Sequence, residues 1–131
     1  MTKVPTARIL VIDDNPAVVD LVATSLHKEG YGVLAALTGD DGLKDFILSR
    51  PDLVLLDIAL PGGLDGIELL KRMRSINPTS RVVMITGNTD PTLARQALEL
   101  GALAYVDKPF DFAYLNRVVV MALQTSCPPL S

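Results

Sequence analysis

The chain has 131 residues, 12 basic and 15 acidic side chains for a formal charge of -3, and 49% apolar residues. That length fits one domain with a substantial core, and the acidic balance argues against a phosphate-backbone binder, which usually carries a basic face. The single Cys127 beside Pro128-Pro129 permits no internal disulfide and no Cys/His zinc cluster, so a reducing, cytoplasmic setting is expected. Met1 to Pro5 lacks the apolar stretch of a signal peptide, and no apolar run nears the length of a membrane span; no membrane insertion is expected.

Taken in chain order, apolar runs alternate with segments of helical period, the pattern of repeated βα units around a parallel sheet. The predicted strands are Arg8 to Ile12, Gly32 to Ala36, Leu53 to Leu56, Arg81 to Ile85 and Ala104 to Val106. The first, third and fourth are nearly all apolar, as strands covered on both faces should be; the second and fifth read as edges. Between them Val18, Leu21, Val22, Ser25 and Leu26 recur at helical spacing, then Leu43, Phe46 and Ile47, then Ile67, Leu70 and Met73, as the expected core faces of three helices. On the last helix Leu115, Val118, Val119 and Ala122 form one stripe and leave Tyr114, Val120 and Met121 on other faces.

Boundary signals agree with this division. Asn15-Pro16 and Asp90-Pro91 each set a good N-cap before proline at the first helical position, and Asp65 and Asp111 can cap the third and fifth helices. Gly30 and Gly101 follow the first and fourth helices, where a left-handed closing residue is favoured. From Thr125 to Ser131, two prolines and small polar residues suggest a frayed tail, leaving residues 1–124 as the domain.

Asp13-Asp14 follow the first strand, Asp57 the third and Lys108-Pro109 the fifth. Sites form at the carboxyl ends of parallel strands, so these positions would bring three carboxylates and one ammonium to a single sheet edge. Each residue alone has an ordinary reading: a strand end for Asp57, a helix cap for Asp14 or Asn15, a solvated turn for Lys108. Their convergence points instead to a magnesium and phosphoryl site, because magnesium favours oxygen donors and clustered carboxylates repel without a cation.

The runs ILVIDDN, DLVLLDIALPGGLDG, VVMITGN and AYVDKPF, in that order, resemble the receiver domain of two-component response regulators, from Arg8 to about Leu123. The resemblance implies a single (βα)5 doubly wound α/β domain with a five-stranded parallel sheet of order 2-1-3-4-5, as in flavodoxin-like folds. It implies that Asp57 accepts a phosphoryl group from a histidine kinase or histidine phosphotransfer protein. Mg²⁺ would be held by Asp14 directly, by Asp13 mainly through water, by Asp57 and by the backbone carbonyl of Ala59. Lys108, aimed by a cis peptide before Pro109, would pair with the phosphoryl oxygens. Thr86 would bond one of them beside Gly87, and Tyr105 would turn inward when Thr86 moves. The expected protein is a signalling switch and not a metabolic enzyme, assisting its own phosphorylation and dephosphorylation. Its output partner is unspecified, and it would be a monomer or a weak phosphorylation-dependent dimer.

Two positions depart from the commonest pattern. The loop from Asp57 to Gly66 is one residue longer, and Tyr114 stands where receivers that dimerise through the fifth helix usually carry glutamate. A receiver fragment of a larger hybrid kinase or regulator is an alternative reading. An aspartyl-nucleophile phosphatase is a weaker one, since Ala59 occupies the position where such enzymes place a second aspartate. A flavodoxin-like carrier is disfavoured because Asp13-Asp14 would repel a flavin phosphate.

Overall fold

The computed structural model describes residues 6–62, 64–87, 91–108 and 111–125. Expectations resting on Gly63, Asn88, Asp90, Pro109, Phe110 and the segment 126–131 with Cys127 lie outside the described residues. Five strands and five helices alternate: β1 (Arg8–Ile12), α1 (Pro16–Lys28), β2 (Gly32–Ala36), α2 (Gly39–Ser49), β3 (Leu53–Asp57), α3 (Gly66–Ile76), β4 (Val82–Thr86), α4 (Pro91–Glu99), β5 (Ala104–Asp107) and α5 (Phe112–Gln124). All strand pairs are parallel, in the order β2-β1-β3-β4-β5. The chain therefore steps one way from β1 to β2 and the other way from β3 onward, and the reversal opens a crevice beyond the carboxyl ends of β1 and β3.

Strand alternation divides the core into two apolar layers. Leu10, Ile12, Val54, Leu56, Val82 and Met84 meet Phe46, Leu69, Leu70, Met73 and Ala97 on one face. Ile9, Val11, Leu53, Leu55, Val83 and Ile85 meet Val19, Val22, Leu26, Leu115, Val118, Val119 and Ala122 on the other. β3 and β4 are buried throughout, whereas β2 and β5 are only partly covered, as edges should be. Two strands run one residue past their expected ends and β4 is shifted by one. Asp57 pairs with Ile85 and Thr86 with Asp107, so the ladder continues one residue beyond the apolar runs.

The helix starts follow capping chemistry. Asn15 accepts from the Ala17 N–H with Pro16 at the first position, Asp65 from Glu68 and Asp111 from Ala113. Thr38, not anticipated from the sequence, caps α2 through the Asp41 N–H. Gly30 (φ 93°) and Gly101 (φ 104°) close α1 and α4 in the left-handed region, while Arg50 (φ 49°) does the same after α2 with a side chain.

Two expected core residues face outward. Leu21 is 58% exposed and Ile47 50%. On α1 the buried stripe is Val19, Val22 and Leu26; Leu21 lies about 200° around the helix from Val19 and cannot share its face. The α5 stripe is as expected, with Leu115, Val118, Val119 and Ala122 buried and Tyr114, Val120 and Met121 exposed. No described helix is long and apolar enough to cross a membrane.

Candidate functional site

The buried, ladder-paired end of β3 fixes Asp57, which is 4% exposed although it is a carboxylate. Its Oδ1 accepts the Ala59 N–H at 3.0 Å, a local turn that sets the side chain's rotation. Just past β1, Asp13 is 1% exposed; its Oδ1 accepts the Asn15 N–H at 2.9 Å, and its own N–H donates to the Ala36 carbonyl. The neighbouring Asp14 is exposed. Carboxylate oxygens of Asp13, Asp14 and Asp57 all lie within 4.8 Å of one another.

Lys108 follows β5, held by its N–H donating to the Thr86 carbonyl at 2.7 Å. Its Nζ donates to Asp13 Oδ2 at 2.5 Å and to Asp57 Oδ2 at 3.4 Å, so it bridges the carboxylates and favours Asp13. The bridge has an electrostatic reason, since two unit charges about 4 Å apart interact by roughly 4 kcal/mol at an effective dielectric near 20. Burial pushes the Asp57 carboxyl above its ordinary 3.8; the Ala59 N–H opposes this, the Asp13 charge adds to it, and Lys108 opposes it without prevailing. Burial would pull the Lys108 ammonium down, but the hydrogen bonds and charges of Asp13 and Asp57 hold it above 10.5.

Thr86 ends β4 and is 3% exposed, whereas Tyr105 on β5 is 42% exposed and so is not a core aromatic. Gly87 faces solvent, and a side chain there would stand 3.8 Å from the Lys108 Cβ and Cδ, in ordinary contact. Ala59 is exposed beside Asp57. The structure thus brings Asp13, Asp14, Asp57 and Lys108 together, with Thr86 and Ala59 alongside, and leaves Tyr105 on the outer surface of the edge strand.

Two features escaped sequence reasoning. The first is that Lys108 prefers Asp13 to Asp57, which depends on distances no spacing encodes. The second is the tight seat of Gly66 and Gly39 around the loop that follows Asp57. The glycine of Leu64-Asp65-Gly66 was a visible signal, but helical position alone gave no reason for it.

The donor set suits a hard cation: three carboxylates within reach of one another, with no soft ligand in the group. The family described as "Response regulator receiver domain" matches residues 9–120. Sporulation initiation phosphotransferase F of Bacillus subtilis is 41% identical over 112 residues, covering 86% of this chain and 90% of that protein. Nitrogen assimilation regulatory protein NtrX of Azorhizobium caulinodans is 39% identical over 118 residues, 89% of this chain but 26% of its own length. Among solved structures, a CheY-like response regulator receiver domain protein from Methanospirillum hungatei superposes with a TM-score of 0.87 at 33% identity, covering 91% of this chain and 94% of that one. The family match runs from the first strand into the last helix and takes in Asp13, Asp14, Asp57 and Lys108, and the chain belongs to the response regulator receiver family.

Proposed function

We propose that Asp57 is the phosphoacceptor of a Mg²⁺-dependent switch, loaded by a histidine kinase or a histidine phosphotransfer protein. The observation that carries this is a buried carboxylate fixed at one oxygen by the Ala59 N–H and facing an ammonium at the other. Phosphoryl transfer demands in-line positioning and charge neutralisation more than covalent help, and a carboxylate held at one oxygen beside an ammonium supports the reading. Asp57 Oδ2 attacks phosphorus, the P–N bond to the donor imidazole breaks, and the electron pair returns to that ring as an acyl phosphate forms.

Asp13, Asp14, the Asp57 carboxylate and the Ala59 carbonyl would hold the metal, which when bound neutralises charge on the phosphoryl oxygens. Lys108 then exchanges its carboxylate contacts for a phosphoryl oxygen. Thr86, at the end of the neighbouring strand, offers its hydroxyl to another. Tyr105 follows Thr86 by rotating toward the space vacated. The face of α4, β5 and α5 carries the state to a partner; Leu98, Tyr105, Tyr114, Val120 and Met121 are exposed there, which supports this choice. A soluble cytoplasmic monomer, or a dimer formed on phosphorylation, fits this role. The same domain is nearly the whole of the Bacillus relative and about a quarter of NtrX, so either setting suits it.

Incubation with acetyl phosphate and Mg²⁺, followed by intact-mass and site analysis, tests the proposal. Labelling of Asp57 that disappears with a chelator and in Asp57→Asn is the expected result. Equal labelling of Asp57→Asn, or indifference to the chelator, would overturn it.

A further inference from the structure

α3 begins with a glycine that its conformation does not require. Gly62, in the loop before it, has φ 94° and open space around a would-be side chain, so backbone geometry selects glycine there. Gly66 lacks a positive φ and sits at the first position of a helix, where the backbone conformation does not call for glycine. What forbids a side chain is contact. A Cβ at position 66 would lie 2.4 Å from the Asp57 carbonyl oxygen and 2.7 Å from both the Cα and the carbonyl oxygen of Ile58.

Those are backbone atoms, which cannot rotate aside. Neither partner can retreat either. Asp65 caps the helix through the Glu68 N–H, and Leu69, Leu70 and Met73 are fully buried beneath it. On the other side, the Ile58 N–H donates to the Ile85 carbonyl at 3.0 Å and holds the same peptide to β4. The returning limb of the loop is braced again one step earlier, where a Cβ on Gly39, the first residue of α2, would lie 2.3 Å from the Leu64 carbonyl oxygen. Leu64 itself is 6% exposed.

We propose that Gly66 is a positioning residue for Asp57. By letting the first turn of α3 rest on the Asp57–Ile58 peptide, it sets where the carboxylate stands relative to Ala59, Asp13 and Lys108. Gly39 backs it by seating Leu64. The proposal rests on Asp57 as phosphoacceptor, and its effect is on the geometry of transfer rather than on chemistry performed by the glycine. A displacement of about 1 Å in a reacting group can cost on the order of a hundredfold in rate.

The test compares Gly66→Ala with Gly42→Ala, whose added Cβ would meet the Ile12 Cδ1 at 2.5 Å, a flexible side-chain end within the core. Thermal midpoint, Mg²⁺ affinity by calorimetry, the maximal labelling rate at saturating Mg²⁺ and acetyl phosphate, and the Ala59 amide resonance are measured for each. Gly66→Ala is expected to lose roughly tenfold or more in maximal rate. Its Ala59 amide should shift toward the position of an unbonded N–H. Gly42→Ala should lose stability and keep both its rate and that resonance near wild type. A folded Gly66→Ala with wild-type rate and an unmoved Ala59 amide overturns the proposal, as does an equal rate loss in both variants. Should Gly66→Ala not fold, Gly39→Ala decides: a smaller rate loss with a shifted Ala59 amide supports the proposal, and wild-type behaviour overturns it. The Ala59 amide responds whether or not Asp57 is phosphorylated, so failure of the phosphoacceptor assignment is seen separately, in Asp57→Asn.

Discussion

Asp57 carries a cost that its position explains. Its carboxyl is pushed above 3.8 by burial, so the fold prefers the protonated form more than the unfolded chain does. The ionised group therefore weakens the metal-free fold above the raised value, and the penalty is absent below 3.8. Asp57→Asn should accordingly raise the thermal midpoint of the metal-free protein at pH 7. A midpoint series with chelator should show that gain shrinking as pH falls toward 3.8. Lys108 offsets part of the same penalty, since its ammonium bridges Asp13 and Asp57. Lys108→Met should destabilise the metal-free protein, and the midpoint rise on adding Mg²⁺ should be larger than in wild type, because a cation that binds only the folded state stabilises it by an amount that grows with the logarithm of its affinity. Beside the carboxylate, exposed Ala59 leaves water a path; Ala59→Lys should lengthen the acyl-phosphate half-life, read by the decay of labelled protein after donor removal.

At the scale of the element, boundaries and caps were legible because they rest on local chemistry. Asn15, Asp65 and Asp111 accept the N–H groups that their positions suggested. Thr38 was missed: Leu37-Thr38-Gly39 reads as a plain turn, and the cap needs the helix start to be known first. Thr38→Ala should cost about 1 kcal/mol, measured by urea unfolding. On α1 the sequence points to Leu21 while the fold buries Val19, Val22 and Leu26, because Val18, Val19, Leu21 and Val22 offer overlapping apolar stripes and only packing against the sheet chooses between them. The apolar runs end at Leu56 and Ile85, so the expected strands stop there, while pairing across the sheet carries β3 to Asp57 and β4 to Thr86. The strand-end positions of Asp13, Asp57 and Lys108 survived those errors, since they depend on the order of runs and not on one-residue boundaries. The seat of Gly66 could not be read, because it joins a helix start to the strand end behind it through space.

Over the whole molecule, the proposed chemistry and the proposed readout surface occupy different places. The acidic crevice lies at the carboxyl ends of β1 and β3, while exposed Tyr105, Tyr114 and Met121 lie along β5 and α5. A partner moves the switch only if it binds the two states unequally. Binding of the output partner, or self-association, should therefore be stronger for the beryllium-fluoride-bound form and lose that preference in Tyr105→Ala and Met121→Glu; equal binding throughout would put the output surface elsewhere. The burial of Asp57 has a consequence for traffic as well. Among the described residues the strands behind Asp57 are buried, so its carboxylate faces the carboxyl-end rim of the sheet, and on the proposed reading both loading and removal of a phosphoryl group take place there. On the phosphoacceptor reading proposed above, a donor docked at that rim shields the carboxylate for as long as it stays, so donor departure precedes any removal of the group.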